Sequence, residues 1–550
     1  MIFGSVFRKI MTNYAAFFTG LGWNSVGLKL TDLVLKTDPA NVEVWYDKGK
    51  LYKDMENFEK SLECFNRVLE LDSNHSRTWH LKANLLEEMG KKEESEKCIL
   101  EAIKCYDKDL ELDPSDAITC YNKGVVLQNL GEYEDALPNF NKSLELNPEY
   151  AHAWEKKAYG LVMLKRYEES LKSADEALKI NPGNHEILML KSFILKELKS
   201  YYLAIACLNR VLKIEFMYLP AYYEKIDVFM EIKEYEEAVS TADEIISFEP
   251  KNEKAWYNKG WALQYLKKYS EALHCFDKAL ELDSKYYRAY VSKGSVYEDM
   301  NELDKSIKCF DNALDLEKED PFVWYSKGGV LYKLKRYPDA LKCYDKALEL
   351  DPEDASSWNW KGSILAEMGE NESKKYLKTA IKFHNHALEK DPNDDSHMSA
   401  KASVLEILQE YNEALKTVNN SLKLDPKDSW TLNLKSRILR KMGRPEKALK
   451  YSDRALEKDS EDGDYYYEKG RTLCGLEKYE DALKLFEKAF ELDQRHEKAL
   501  YAKGIILEEL GHERKSLECY KKAALVNPYF EPAKDALKRL NEKLGEGNEI

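Results

Sequence analysis

The feature that most constrains this chain is a small residue that returns every 34 positions. From Gly260, in AWYNKGWALQYLKKYSEALHCFDKALELD, equal steps downstream reach Gly294, Gly328 and Gly362. Equal steps upstream reach Ile226, Ser192, Ala158 and Gly124. A step of 41 then lands on Ala83 and one of 34 on Gly49; past Gly362, a step of 40 lands on Ala402, followed by Ser436, Gly470 and Gly504. Fourteen repeats stand on this ruler, and one further step upstream reaches Ala15, in a degenerate repeat ending at Asp38-Pro39. Such a period implies short units that cannot bury an apolar face alone and must stack on their neighbours.

The spacing within a repeat shows how. Twelve residues after the ruler residue most repeats place a second small one (Ala136, Ala204, Ala272, Ala340), and seven later a third (Ala177, Ala279, Ala313, Ala347). Small residues let two helices approach closely. Trp45, Trp79, Trp154, Trp256, Trp324 and Trp358 stand four before the ruler residue as large apolar filler. A polar turn, as in GEYEDA, separates two helical stretches, and Asp or Asn, often with Pro, closes the repeat. The predicted class is all-α: a solenoid of tandem 34-residue helix-turn-helix repeats.

Composition fits. Charged residues are 33% and hydrophobic ones 44% of the chain, and the 24 Gly and 15 Pro are spread evenly, so no linker marks a domain boundary. The net charge of −15 disfavours nucleic acid and anionic lipid as partners. No run is apolar enough to span a membrane. In the opening MIFGSVFRKIMTNYAAFFTGLGW, Ile2, Phe3, Val6, Phe7, Ile10 and Met11 have helical spacing, so the segment reads as a cap rather than a signal peptide. Phe7, Met11, Tyr14 and Phe18 are expected to cover the first repeat, or to form a homo-oligomer contact if exposed. Residues 1–41 are thus a degenerate repeat and cap, 42–528 the fourteen repeats, and 529–550 a capping helix and tail. In that last helix, Ala533, Ala536, Leu537, Leu540 and Leu544 form the apolar stripe.

The ruler, with its W, G, Y, A, F and P positions, resembles the tetratricopeptide repeat family over residues 11–528. That resemblance implies a right-handed α-α superhelix whose first helices line a concave groove. One departure stands out: a lysine precedes the ruler residue in every full repeat, from Lys48 and Lys82 to Lys469 and Lys503. Asp or Asn recurs in the second helix, as at Asn66, Asn141, Asp175, Asp277, Asp311 and Asp345. The ladder is either a track for a polyanion or a set of buried stems whose ammonium groups meet second-helix carboxylates or amides. The second reading is favoured, because a track needs its lysines unneutralised. The repeats near 77–114 and 356–392 are lengthened, with the surplus placed in their second helices; seven extra residues amount to nearly two turns, or about 10 Å.

No catalytic or metal motif emerges. Cys275, Cys309 and Cys343 stand one repeat apart and read as reduced packing residues of a cytoplasmic protein. His384 and His386 are two apart, so they do not share a helix face, and no phosphate loop or nucleophile elbow is present. No cofactor and no enzymatic activity are expected.

If the fold follows the family, positions 2, 5, 6, 9, 12 and 13 of each repeat face the groove, and three patches arise. Tyr223, Tyr257, Trp261, Tyr265, Tyr325 and Tyr332 form an aromatic wall suited to a peptide or partner helix. Arg437, Arg440, Lys441, Arg471 and Lys498 form a basic patch suited to an acidic segment. His80, Asn84, Asn122, His152 and Lys156 resemble, with two histidines in basic positions, the clamp by which some family members hold acidic chaperone tails. The expected function is a scaffold that binds a peptide or helix of other proteins. The alternatives are a recognition subunit of a multiprotein enzyme complex or a pentatricopeptide-like nucleic-acid binder, the latter opposed by the charge and the 34-residue step.

Overall fold

The computed structural model describes residues 24–544, which form 30 α-helices and, among the described residues, no strand. The apolar segment expected to cap the first repeat lies outside the described residues. From Val42 to Val526 the helices fall into fourteen antiparallel pairs, typically a 13-residue first helix and a 14-residue second one, as in Glu253–Tyr265 and Tyr269–Leu282. The pairs group into two compact units divided between Pro250 and Lys251. Each unit is an α solenoid in which a pair packs on the pair before and after it. No described helix is long and apolar enough to cross a membrane.

Apart from Gly362, which meets Leu377, each ruler glycine lies beneath an aromatic ring of its own repeat's second helix. A Cβ on Gly49 would stand 2.5 Å from the Phe65 ring, one on Gly124 2.7 Å from Phe140, and one on Gly260 2.8 Å from Phe276. Where the ruler residue is larger, the facing one shrinks: Ile226 and Ala242 are both fully buried, as are Ala158 and Ala174. The Ile226–Ala242 pair thus keeps about the volume of a Gly–Phe pair, while the Ala158–Ala174 crossing is smaller. Serines at the second small position add a polar tie, since the hydroxyls of Ser61, Ser170 and Ser306 donate to the carbonyls of Gly49, Ala158 and Gly294 at 2.7–2.8 Å.

Repeat joins to repeat through turns and charges. First helices open on an Asn or Asp whose side chain caps them, as Asn41, Asp116, Asn184 and Asp428 do. The tryptophans are more than filler: the indole N–H groups of Trp45, Trp154 and Trp358 reach back to the carbonyls of Pro39, Pro148 and Pro352 at 2.9–3.0 Å, tying down the preceding turn. The lysine ladder runs between repeats. Lys123, Lys191, Lys327, Lys361 and Lys469 meet Asp107, Asp175, Asp311, Asp345 and Asp453 at 2.5–2.8 Å, each sixteen residues earlier in the preceding repeat. Where that earlier residue is Asn66, Asn141 or Asn419, the ammonium of Lys82, Lys157 or Lys435 stands over Trp79, Trp154 or Tyr451, as those of Lys327 and Lys361 also stand over Trp324 and Trp358.

Both lengthened repeats keep their ruler contacts. Helix Lys92–Leu112 has 21 residues, seven more than its counterparts. The other insertion divides, with helix Ser373–Lys390 taking only four of its six extra residues and the turn before it the rest. At the end, helix Glu531–Leu544 lays Ala536, Leu537 and Leu540 on Leu517 and Tyr520 of the last repeat.

Candidate functional site

In the second unit, the groove positions of three successive first helices converge. Helices Glu253–Tyr265, Tyr287–Asp299 and Pro321–Lys333 set Tyr257, Trp261, Tyr265, Tyr287 and Phe322 around a recess of about 420 Å3. Trp261 and Tyr265 meet edge-on with ring centroids 6.1 Å apart. Two large apolar surfaces are left to solvent here, Tyr265 at 53% and Phe322 at 58% exposure. Tyr257 is held by an edge contact with Tyr286 and a 3.4 Å hydrogen bond from the Ser292 hydroxyl.

Through Ser295 and Phe322 the recess continues into a chamber of about 840 Å3. Tyr325, Tyr332, Tyr344 and Trp360 wall one side; Asp464, Arg495, His496, Glu497 and Lys498 wall the other. The unit thus curls back on itself. Lys335 pairs with Glu497 at 3.0 Å, Lys498 with Glu367 at 2.8 Å, and Asn527 donates to the Tyr337 hydroxyl at 3.2 Å. Tyr332 donates its hydroxyl to Glu367 at 3.1 Å and stacks on Tyr337. Tyr332 and Lys498, expected on an open groove, are therefore parts of an internal clasp. Burial alone would raise the Glu367 carboxyl, but Lys498, Tyr337 and Lys335 outweigh it and hold it below the usual range.

The basic patch is assembled, but with its counter-charges inside it. Glu406 is 2% exposed; Arg437 reaches it at 3.3 Å, and Lys441 pairs with it as well. Arg440 bonds the buried Glu468 at 2.8 Å, and Arg471 donates to the Tyr467 hydroxyl at 2.9 Å. Burial tends to raise the Glu406 carboxyl, yet the Arg437 and Lys441 charges depress it. The expectation of a patch waiting for an acidic segment is corrected on this ground. Projection onto groove positions singled out the cations; the same projection places Glu406 at position 12 and Glu468 at position 6.

Tetratricopeptide repeat patterns match residues 42–75, 76–116, 117–150, 253–286, 287–320, 321–354, 343–376 and 467–524. The chain belongs to the tetratricopeptide repeat family. No curated protein matches it. Among solved structures, a chain of the APC/C hetero-tetramer Cut9-Hcn1 is similar over 85% of this chain and 96% of its own, with 15% identity and a TM-score of 0.40. The MamA RS-1 ArsTM double mutant is similar over 30% of this chain and 94% of its own, with 21% identity and a TM-score of 0.28.

The clamp-like residues of the first unit are only partly engaged by their neighbours. Burial, aided by Lys53, pushes His80 down to about 4, so it carries no charge near neutrality, and its Nε2 is buried without a partner. His152 is taken up by Glu155 at 3.0 Å, and Asn84 accepts from Asn129 at 3.3 Å. Lys156 has its carbonyl held by Gln128, while Asn122 lies half-buried on the neighbouring first helix. Tyr223 is also half-buried, in the first unit. Sequence reasoning passed over Tyr159, Met163 and Phe193, all exposed at groove positions of the first unit. It likewise passed over Phe322, Trp360, Asp464 and His496, whose convergence depends on the curl.

Proposed function

We propose that this tetratricopeptide protein is a non-catalytic scaffold whose second unit binds an extended or helical segment of a partner protein along its concave face. One observation carries the reading: an aromatic recess with Tyr265 and Phe322 left to solvent opens directly into a chamber walled by more aromatic side chains. Recesses of this kind seat the large anchor side chains that dominate binding energetics. Arg437, Arg440, Lys441 and Arg471 enter the proposal as framework, since Glu406, Glu468 and Tyr467 already engage them. The setting proposed is the cytoplasm, which the ten cysteines favour, nine of them buried.

The test is a pull-down with the full chain, followed by affinity measurement on each recovered partner. Trp261→Ala is expected to weaken a recess-bound partner by roughly thirtyfold, the effect of losing an anchor worth about 2 kcal/mol. Phe322→Ala should act in the same direction. Equal recovery of every partner by wild type and both variants would remove the concave face of this unit as the working surface.

A further inference from the structure

The chamber of the second unit carries a charge imbalance and two orphaned polar atoms. Most of its charges cancel in place: Lys333 pairs with Glu298, Lys335 with Glu497, and Lys498 with Glu367. Arg495 donates to Asn301. Three lining carboxylates remain without a lysine or arginine of the chamber on them. Asp299 accepts from Gln264, Asp493 from the Arg495 backbone, and Asp464 lies beside His496. The Asp464 side chain lines the chamber and is nevertheless 72% exposed, open to whatever enters.

Burial would raise the Asp464 carboxyl, but the neighbouring His496 above all, with Lys498 and Arg437, holds it below the usual range. The His496 Nδ1 accepts the Ala499 N–H at 3.3 Å, which leaves the ring proton on Nε2. That Nε2 stands 3.1 Å from Asp464 Oδ1, is not aligned for a hydrogen bond, and has no other partner, though His496 is only 4% exposed. The Tyr344 hydroxyl, fully buried on the facing wall, has no partner either. Buried polar groups are nearly always satisfied, so these two atoms have bonding capacity to offer a group that enters the cavity. Aromatic faces beside an open carboxylate favour a cation.

Building on the scaffold reading above, we propose that the chamber takes a lysine or arginine side chain of the bound segment, with Asp464 as its counter-ion and the neighbouring recess holding an apolar side chain of the same segment. The cation lies between Asp464 and the Tyr325 and Trp360 walls, while His496 and Tyr344 bond the backbone or water that enters with it. Partner selection is then for a basic-apolar motif, opposite in sign to the acidic segment expected from the basic patch.

A phage-displayed random library of 12-residue peptides, panned against the full-length protein, tests this directly. Wild type is expected to enrich peptides that share one Lys or Arg near a large apolar residue. Asp464→Asn should lower recovery of the basic clones by about tenfold while apolar enrichment persists. Asp464→Lys, a second variant at this open position, should turn the preference toward acidic peptides. Thermal melts matching wild type confirm that both variants fold. Enrichment without a basic residue, or basic clones indifferent to both Asp464 changes, overturns the cation assignment while leaving the groove reading standing. Enriched clones that bind Trp261→Ala as well as wild type, or no enrichment at all, overturn the groove reading and this inference with it.

Discussion

A methyl group is the smallest change that tests the packing of this chain. On Gly260 it would lie 2.8 Å from the Phe276 ring and 3.1 Å from the Ala272 carbonyl, where the backbone has little room to yield. Gly260→Ala should therefore cost about 1–3 kcal/mol, read as a lower urea midpoint, and Phe276→Leu in the same chain should restore part of it. Unchanged stability in the single variant would refute the close approach. A second residue sets a pH response. His384 is fully buried with its Nδ1 3.0 Å from that of His397, and burial, then His397, lower it from 6.5 to about 4. A folded-state value below the unfolded one means the unfolded chain binds the proton first, so stability falls as pH drops from about 6.5 to 4. His384→Leu should flatten that decline in unfolding midpoints measured at pH 7 and 5; His80, shifted the same way in the first unit, keeps some of it. At this scale the sequence was a good guide to steric roles and a poor one to charge. Gly260 announces its contact by recurrence, whereas Arg437 and Glu406 belong to adjacent repeats, and their pairing shows only when both signs are projected together.

Between elements, the recurring contact is the ion pair from one repeat to the next. Lys327 and Asp311 meet at 2.6 Å with the lysine side chain 19% and the aspartate 50% exposed. Half-open pairs of this kind contribute about 0.5–1 kcal/mol. A double-mutant cycle of Lys327→Met and Asp311→Asn should return a coupling of that size, and a coupling indistinguishable from zero would reduce the ladder to packed stems. The recurrence of Lys and Asp was readable in the chain, as were both helices of every repeat. Which repeat supplies the carboxylate was not, because the residue sixteen back and the one in the same repeat recur with the same period. The lengthened repeats divide similarly. Seven extra residues fit a helix in phase and lie wholly within Lys92–Leu112, while six do not, so the second insertion splits between turn and helix.

Over the whole molecule, the clasp joining Lys335, Tyr337 and Glu367 to Glu497, Asn527 and Lys498 is what no repeat period announces, since it depends on rotation summed over several repeats. Replacing both acids, Glu367→Gln with Glu497→Gln, should raise amide hydrogen exchange around residues 321–337 and 495–530 and leave the first unit unchanged. Protection that stays at the wild-type level would mean the clasp adds nothing to closure. The lysine ladder has a different reach. It begins at Asp32, paired with Lys48, and at the next register position after the last repeat's lysine the chain places Lys521, not an acid. As far as the ladder is concerned, interior repeats outside the clasp are therefore interchangeable in copy number, and the position beyond Lys521 is not. Excising residues 287–320 brings Asp277 sixteen positions before Lys327, so the shortened chain rejoins its rungs and should fold with full helicity. A repeat grafted after residue 528 would instead set lysine against lysine. The array can be shortened or duplicated from within, but its own charge pattern resists extension past that end.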